Sequence, residues 1–252
     1  MKSRHRTGLP IADGDLHGGP RTQRTLVTPR EPTIGVLALQ GDVAEHLDAF
    51  RQLGVSARRV RRPEELLAID GLVIPGGEST AIGRLLDVFD LRRTLLERLS
   101  TGMPAYGSCA GMILLSSGIL DGRADQQPLG AIDITVRRNA FGRQASSFEA
   151  GLDITGITGG PLRVAFIRAP WVEQFGGQVE VLASVGDHAV AVRQGSVLAT
   201  AFHPELGGDF RLHQMFLEMV HSRKARRSAD EGDVQQIDVQ ADDEGGDQHR
   251  GC

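Results

Sequence analysis

The sequence predicts one α/β domain in which a mostly parallel sheet is covered on both faces by helices. Two observations support this prediction. Short β-branched segments alternate with amphipathic segments of helical periodicity in the first half of the domain, and glycine-containing breaks follow the ends of the β-branched segments. In a parallel sheet the reactive groups gather beyond the carboxyl ends of the strands. We therefore expect the loops that follow the strands to meet at one edge of the sheet.

The first elements alternate between strand and helix. Residues 33–39 are a short apolar strand, and Asp42 followed by Glu45 has the spacing of a helix capping box. Apolar side chains then recur at helical spacing as far as Gly54, and residues 55–60 read as a second strand. This order predicts the first strand–helix–strand unit of the sheet.

The next unit repeats the pattern and leads to a sharp turn. Residues 72–74 form a third strand that ends at Pro75, and Ser79 can cap the helix that follows. The apolar stripe of that helix consists of Ile82, Leu85, Leu86 and Phe89. A further helix over residues 91–99 leads to a short strand that ends at Tyr106.

Closely spaced strands dominate the second half and predict an added antiparallel section. These strands cover residues 132–136, 164–167, 179–183, 189–192 and 197–202. Asp209 then caps a last helix, whose apolar face consists of Leu212, Phe216, Met219 and Val220. The predicted architecture is a three-layer sandwich with a mostly parallel central sheet plus an antiparallel section.

The two ends of the 252-residue chain lack apolar periodicity. Residues 1–32 are rich in Gly, Pro, Arg and Thr, and residues 223–252 become acidic, so we expect both to be disordered. We expect the N-terminal extension to be a leader or the product of an upstream start codon, since it lacks the apolar stretch of a secretory signal. Residues 33–222 are long enough for one domain with a proper core.

Composition excludes several classes of function. The net charge is −4, and basic residues do not alternate with aromatic ones, so no nucleic-acid partner is expected. No apolar run approaches about 18 residues, so no membrane span is expected. Two cysteines without a disulfide framework predict a cytoplasmic location. We expect neither a cofactor nor a metal ion.

Cys109 lies between Gly107 and Gly111, directly before the apolar residues 112–115. Small residues on both sides predict a sharp strand-to-helix turn that holds the sulfur in the open, as in nucleophile elbows. The other cysteine, Cys252, ends a polar tail and is no plausible disulfide partner. Cys109 is therefore either a nucleophile or a buried cysteine that acts as a small hydrophobe.

His203 and Glu205 follow the last predicted strand, so both should lie at the same edge as Cys109. A thiol needs a base, and the base needs an acceptor that fixes its tautomer. His203 can supply the first role and Glu205 the second, with Pro204 stiffening the link. Each residue alone is commonly structural, but the combination favours nucleophilic catalysis.

The loop over residues 75–79 contains paired glycines, which let a backbone approach a ligand or adopt positive φ. The N–H of Gly77, together with that of Ala110, can form an oxyanion hole for a tetrahedral intermediate. A simple tight turn before a helix explains the same residues, and the sequence leaves both interpretations open.

Several segments resemble those of known families. Residues 35–41, 75–79, 109–111 and 203–205 resemble the class I, or triad-type, glutamine amidotransferases. Residues 138–144 and 166–170 resemble, more narrowly, the glutaminase subunits of pyridoxal 5′-phosphate synthases. The resemblance covers about residues 33–222. It implies a flavodoxin-like fold of the class I glutamine amidotransferase type.

The resemblance also implies an activity, the hydrolysis of L-glutamine to L-glutamate and ammonia through a γ-glutamyl thioester. Cys109 would be the nucleophile, His203 the base and then the acid, and Glu205 the residue that orients it. The glutamine site would consist of Gly77, Glu78, Ser79, Arg138, Ile167 and Arg168. A cation facing an amino-acid carboxylate is physically reasonable, although Arg138 can instead be a surface residue.

The partner implied by the resemblance is a synthase subunit that receives the ammonia and builds pyridoxal 5′-phosphate. Gln40 would lie near the oxyanion hole and couple it to partner binding, although a plain structural role for Gln40 stays open. Two other functions also stay open. One is a different Cys-His hydrolase, such as a peptidase or a γ-glutamyl hydrolase; the other is a regulatory subunit without catalytic activity, against which the intact triad argues.

Overall fold

The computed structural model describes residues 31–141 and 147–243. The predicted N-terminal extension lies outside the described residues except for its last two positions, and residues 244–252 of the predicted C-terminal tail lie outside them too. The strands are β1 Ile34–Leu37, β2 Ala57–Val60, β3 Gly71–Ile74, β4 Ala105–Ser108, β5 Ser116–Leu120, β6 Ile132–Arg137, β7 Ser147–Leu152, β8 Leu162–Ile167, β9 Trp171–Phe175, β10 Glu180–Val185, β11 His188–Gln194 and β12 Val197–Thr200. The α-helices are α1 Val43–Gln52, α2 Pro63–Leu67, α3 Ser79–Val88, α4 Arg92–Ser100, α5 Ala110–Leu115 and α6 Arg211–Asp243, and a 3-10 turn covers Pro204–Leu206.

A 10-stranded sheet forms the centre of the fold, with the order β2-β1-β3-β4-β12-β11-β9-β6-β5 and with β10 paired to β11. The strands from β2 to β12 in this order all run parallel, which confirms the predicted parallel sheet. The antiparallel section begins where β11 pairs with β12. Strands β7 and β8 form a separate antiparallel pair.

Helices cover both faces of this sheet. From β1 the chain moves outward to β2, whereas from β3 it moves in the opposite direction to β4. Because connections between parallel strands are right-handed, the helices of these two crossovers lie on opposite faces. Helix α6 packs beside α1, where the rings of Phe50 and Phe216 lie 6.4 Å apart, and α5 packs beside α3. The three-layer prediction is confirmed. Among the described helices, none is long and apolar enough to cross a membrane.

The sequence prediction missed four elements, α2, β5, β7 and β9. Strand β9 follows Pro170 directly and carries Glu173 and Gln174, so it lacks the apolar alternation of a half-buried strand. The prediction also placed β12 with the antiparallel strands. Strand β12 does pair antiparallel with β11, but on its other side it pairs parallel with β4, Val197 opposite Ala105. Its own residues do not encode this pairing, because the direction of a neighbour depends on where the chain has travelled.

Two predicted helix starts differ from the structure. Asp42 precedes α1, but its carboxylate makes no capping hydrogen bond, so the expected capping box is absent. Glu78, not Ser79, caps α3, and its carboxylate accepts two N–H groups of the first turn at 3.1 and 2.7 Å. Phe89, expected in the buried stripe of α3, lies just beyond the helix end and is 47% exposed.

The last helix continues past residue 222, where the folded domain was expected to end. Arg223 donates to the carbonyl oxygens of Thr101 and Gly102 at 2.8 and 3.2 Å. Lys224 lies 3.4 Å from the carboxylate of Asp70. These contacts tie the helix to the segment between α4 and β4 and to the residue before β3, so the predicted domain boundary falls inside a packed helix.

We predict that Arg223→Ala lowers the free energy of unfolding by about 1 kcal/mol, because two carbonyl groups lose their donor. Arg226→Ala is the matched control, since Arg226 is exposed on the same helix and its removal should change stability by less than about 0.5 kcal/mol. Urea unfolding of the full chain measures both. Equal stability of the two variants would show that the two hydrogen bonds of Arg223 contribute nothing measurable to stability.

Candidate active site

Cys109 lies in the turn between β4 and α5 with a positive φ of 48°. Its N–H donates to the carbonyl of Thr200 on β12 at 2.7 Å, and its sulfur lies 3.9 Å from the carbonyl oxygen of Ile167. A Cβ at Gly111 would come within 2.1 Å of the carbonyl oxygen of Ile74, so the turn requires glycine there. The strand-to-helix turn is present as predicted, but Cys109 is only 7% exposed and therefore less open than expected.

His203 follows β12, and its backbone N–H donates a hydrogen bond to the carbonyl of Ala165 on β8 at 2.8 Å. Its Nδ1 lies 2.8 Å from Oε1 of Glu205, and both side chains are buried. Cys109 is close enough to His203 to contribute to the raised pKa of the imidazole. The structure thus brings the three predicted catalytic residues together from two separate strand ends.

The surroundings of His203 favour the imidazolium form. Burial by itself lowers the pKa of His203, but hydrogen bonds with Asp42, Cys109 and Glu205 outweigh burial and raise this pKa to about 12. Burial raises the pKa of Glu205, an effect that the hydrogen bond and charge of His203 oppose. An imidazolium beside a thiol is the proton donor that the departure of an amine from an amide requires.

Asp42, which the sequence placed in a helix cap, reaches the same imidazole. Its Oδ2 lies 3.2 Å from Nδ1 of His203. Its backbone N–H donates to the carbonyl of Gly76 at 3.2 Å, and a Cβ at Gly76 would come within 2.3 Å of Cε1 of His203. The sequence contained one signal for this position: Asp42 follows a strand end, as Cys109 and His203 do.

One group of side chains among the described residues is close enough to hold a metal ion. It consists of Asp42, His203 and Glu205, whose possible ligand atoms all lie within 4.8 Å of one another. One imidazole nitrogen and two carboxylates suit a cation such as Zn²⁺. The proton of Nδ1 occupies the same space when the imidazole is charged. The hydrogen bond to Glu205 and the ion pair with Asp42 account for the spacing of the three side chains.

A buried pair of imidazoles lies behind the triad. The Nε2 of His46 is 3.1 Å from the hydroxyl of Ser108 and 3.6 Å from Oε1 of Glu205, and its Nδ1 is 3.0 Å from Nε2 of His213. Burial lowers the pKa of both histidines, to about 4 for His213, so both are neutral. Nδ1 of His213 has no hydrogen-bond partner among the described residues, which fits His213 as the donor to His46 and His46 as the donor towards Ser108 and Glu205. No motif in the sequence indicates this pair.

The loop over residues 75–79 forms another wall of the site. Gly77 has a φ of 150°, and a Cβ there would come within 2.5 Å of Oε1 of Gln40. The same oxygen accepts the N–H of Glu78 at 2.8 Å. Gly77 lines the cavity beside the nucleophile, and Ala110 is the first residue of α5. Gln40 therefore touches the loop that was predicted to carry half of the oxyanion hole.

A cavity of about 100 Å³ opens beside Cys109. It is lined by Gly77, Glu78, Ser79, Cys109, Ile113, Arg138, Asn139, Ile167 and Arg168. All six predicted glutamine-binding residues are in this set, whereas Ile113 and Asn139 were not predicted. Two larger clefts, of about 470 and 520 Å³, lie beside Arg98 and Phe148 and contain none of the triad residues.

Arg138 lies in the site and is only 18% exposed, so it is not a plain surface residue. Its guanidinium lies 3.1 Å from Glu78 and 3.0 Å from Oε1 of Gln126, and the amide nitrogen of Gln126 donates to Ser79 at 2.9 Å. Burial raises the pKa of Glu78, but backbone hydrogen bonds of the α3 first turn and the charge of Arg138 lower it overall. Gln126 belongs to no motif in the sequence, and it was missed for that reason.

Comparisons with known proteins place the chain in a family. The model of the SNO glutamine amidotransferase family matches residues 36–222. The pyridoxal 5′-phosphate synthase subunit PdxT of Mycobacteroides abscessus is 64% identical over 191 residues, which cover 76% of this chain and 98% of the relative. A protein of the same name from Nocardia farcinica is 59% identical over 217 residues, 84% of this chain and 94% of the relative.

A solved structure has the same fold as this chain. It is a glutamine amidotransferase crystal structure that is 46% identical in sequence, with a TM-score of 0.71, and the match covers 75% of this chain and 98% of the other. The family match includes the loops that carry Cys109, His203 and Glu205. The chain therefore belongs to the SNO glutamine amidotransferase family.

Proposed function

We propose that this chain hydrolyses L-glutamine to L-glutamate and ammonia and supplies the ammonia for the synthesis of pyridoxal 5′-phosphate, the active form of vitamin B6. The observation that carries the proposal is the array of Cys109, His203 and Glu205 beside a cavity lined by Arg138 and Glu78. Both relatives reported above bear the name of the pyridoxal 5′-phosphate synthase subunit PdxT, which supports the choice of pathway.

The first half of the reaction is acyl transfer to sulfur. The sulfur of Cys109 attacks the side-chain amide carbon, the C–N bond breaks, and His203 gives its proton to the leaving nitrogen. Ammonia departs, and a γ-glutamyl thioester remains on Cys109. The N–H groups of Gly77 and Ala110 stabilise the negative oxygen of the tetrahedral intermediate.

The second half releases glutamate. His203, now neutral, takes a proton from water, whose oxygen attacks the thioester carbon. The C–S bond breaks, which restores the sulfur of Cys109 and the imidazolium of His203. Glu205 accepts a hydrogen bond from Nδ1 throughout and keeps the imidazole in one orientation. No cofactor enters either half.

Arg138 and Glu78 match the two charges of a free amino acid. In the structure they pair with each other at 3.1 Å. A glutamine zwitterion can replace that pairing, with its carboxylate on Arg138 and its ammonium group on Glu78. Ser79, Ile167 and Arg168 line the remaining wall. This arrangement favours free glutamine over a glutaminyl residue inside a peptide, whose α-amino and α-carboxyl groups are uncharged amides.

The ammonia acceptor in this proposal is a synthase subunit, because free ammonia is protonated and lost in water. Gln40 is the candidate for coupling the two subunits, since its side chain accepts the N–H of Glu78 and contacts Gly77. Docking that moves Gln40 would move the loop that carries Gly77. We place this activity in the cytoplasm, as the cysteine usage of the sequence predicts.

We predict that Cys109→Ala abolishes ammonia release, because no other described side chain can form the thioester. The change keeps a Cβ at a position of positive φ, so the variant should fold with little loss of stability. Cys252→Ala is the control and should behave as wild type. A Cys109→Ala protein with about a tenth of wild-type turnover or more would rule out the covalent route.

We predict that His203→Asn is more damaging than Glu205→Gln. The first change removes the group that carries the proton, whereas the second removes only the acceptor that orients it. Residual activity of Glu205→Gln should exceed that of His203→Asn by about tenfold or more. Single-turnover ammonia release measures both, with circular dichroism to verify folding, and equal loss in the two folded variants would contradict the assigned roles.

We predict that the isolated chain is a weak glutaminase and that the synthase subunit raises its turnover by about tenfold or more. The reason is that an oxyanion hole needs one fixed orientation of Gly77, which the loop adopts only when it is held. Binding is reciprocal, so glutamine should also tighten the complex. Equal turnover at saturating glutamine with and without the partner would contradict this idea and leave the triad assignment intact.

A further inference from the structure

Two carboxylates converge on one nitrogen of His203. Oε1 of Glu205 lies 2.8 Å from Nδ1, and Oδ2 of Asp42 lies 3.2 Å from the same atom. We propose that Asp42 is a second positioning residue of the catalytic imidazole, which stabilises its protonated form together with Glu205. This inference rests on the glutaminase function proposed above.

The carboxylate of Asp42 is directed to the imidazole and not to its own helix. Asp42 occupies the N-cap of α1, where an aspartate normally accepts an N–H group of the first turn. In this structure the side chain makes no such bond, and the residue has φ −80° and ψ 51°. Its backbone N–H is held by the carbonyl of Gly76, which fixes the position of the carboxylate beside His203.

The two carboxylates differ in their exposure to water, and this difference suggests different roles. The side chain of Glu205 is fully buried, and its Oε2 has no hydrogen-bond partner among the described residues. The side chain of Asp42 is 35% exposed, so its charge costs much less to desolvate. Glu205 fixes the orientation of the ring, and Asp42 adds a negative charge that is still partly hydrated.

The groups that face His203 come from four parts of the fold. Asp42 comes from the loop before α1, Glu205 from the 3-10 turn, Cys109 from the turn before α5, and His46 from within α1. His46 is neutral because burial, His213 and His203 all lower its pKa. Burial lowers the pKa of His203, and the contacts with Asp42, Cys109 and Glu205 raise it.

The consequence for the reaction follows from the sign of this effect. The imidazolium is present below its pKa and is lost as the pH rises through that value. Without the charge of Asp42 the pKa of His203 falls, so the proton donor for the departing nitrogen is lost at a lower pH. Asp42 does not line the cavity beside Cys109, so glutamine binding should be unaffected.

The test compares the Asp42→Asn and Asp42→Ser variants of the full chain with wild type, each in complex with the synthase subunit. Serine can cap α1 but carries no charge, so it separates the charge of Asp42 from any effect on the helix. The control is Asp48→Asn, which removes a carboxylate from helix α1. The Asp48 side chain is 56% exposed and pairs with Arg51. EDTA is present in one arm of every assay.

Both Asp42 variants should move the alkaline limb of the pH profile down by about 1 unit, which lowers kcat about tenfold at pH values on that limb and changes it little below, and both should change KM for glutamine less than about twofold. Asp48→Asn should match wild type. NMR titration of the His203 ring in the isolated chain should show the same downward shift, and this measurement does not depend on glutaminase activity.

Three results would overturn the inference. One is an alkaline limb and a His203 titration that do not move in the Asp42 variants. Another is a rise in KM that accounts for the loss of activity, which would indicate a distorted loop. The third is inactivation of the wild type by EDTA, which would indicate a metal ion between the three side chains. A wild-type complex that releases no ammonia from glutamine would instead contradict the proposed function.

Discussion

A charged imidazole can be held away from water only if negative charge and hydrogen-bond acceptors surround it, and the contact between His203 and Glu205 meets that condition at the centre of this site. Much of the surrounding structure keeps this contact in place. The backbone N–H of His203 donates a hydrogen bond to Ala165 on β8, and the 3-10 turn after β12 carries Glu205. The Nε2 of His46 lies 3.6 Å from Oε1 of Glu205. A neutral pair of histidines suits that last position, because a second buried positive charge beside His203 would be repelled.

Close approach between loops is the second physical requirement. Gly111 lies against the carbonyl of Ile74, Gly76 lies against the ring of His203, and Gly41 lies against the carbonyl of Gly76. A side chain at any of these positions would push apart loops that must touch. The same crowding explains why Cys109 is less exposed than a nucleophile elbow suggests: the carbonyl of Ile167 and the loop that carries Gly77 close over it. Compact loops thus bring the reacting groups together and leave only a small cavity for a substrate.

Much of the site could be predicted because strand ends are readable in the sequence. Cys109, His203 and Glu205 each follow a short apolar strand, and in a parallel sheet such positions share an edge. Glu78 and Asp42 were harder to interpret, because each has two suitable uses. Ser79 and Asp42 both have the residue type and spacing of a helix cap, yet Glu78 takes the cap of α3 and the carboxylate of Asp42 turns to His203. Short-range spacing cannot decide between a local backbone partner and a distant imidazole.

The sequence by itself determined the α/β class and the parallel core and placed Cys109, His203 and Glu205 at strand ends, because periodicity and strand-end position are local properties of the chain. Only the tertiary structure decided that β12 runs parallel to β4, that Gln126 joins Arg138 to Ser79, and that His46 meets His213 across 167 positions of sequence. Each of these contacts depends on which elements become neighbours after folding. A single side chain carries no record of its partner, since hydrogen bonding and burial act between groups that the folded chain, and not the local sequence, brings together.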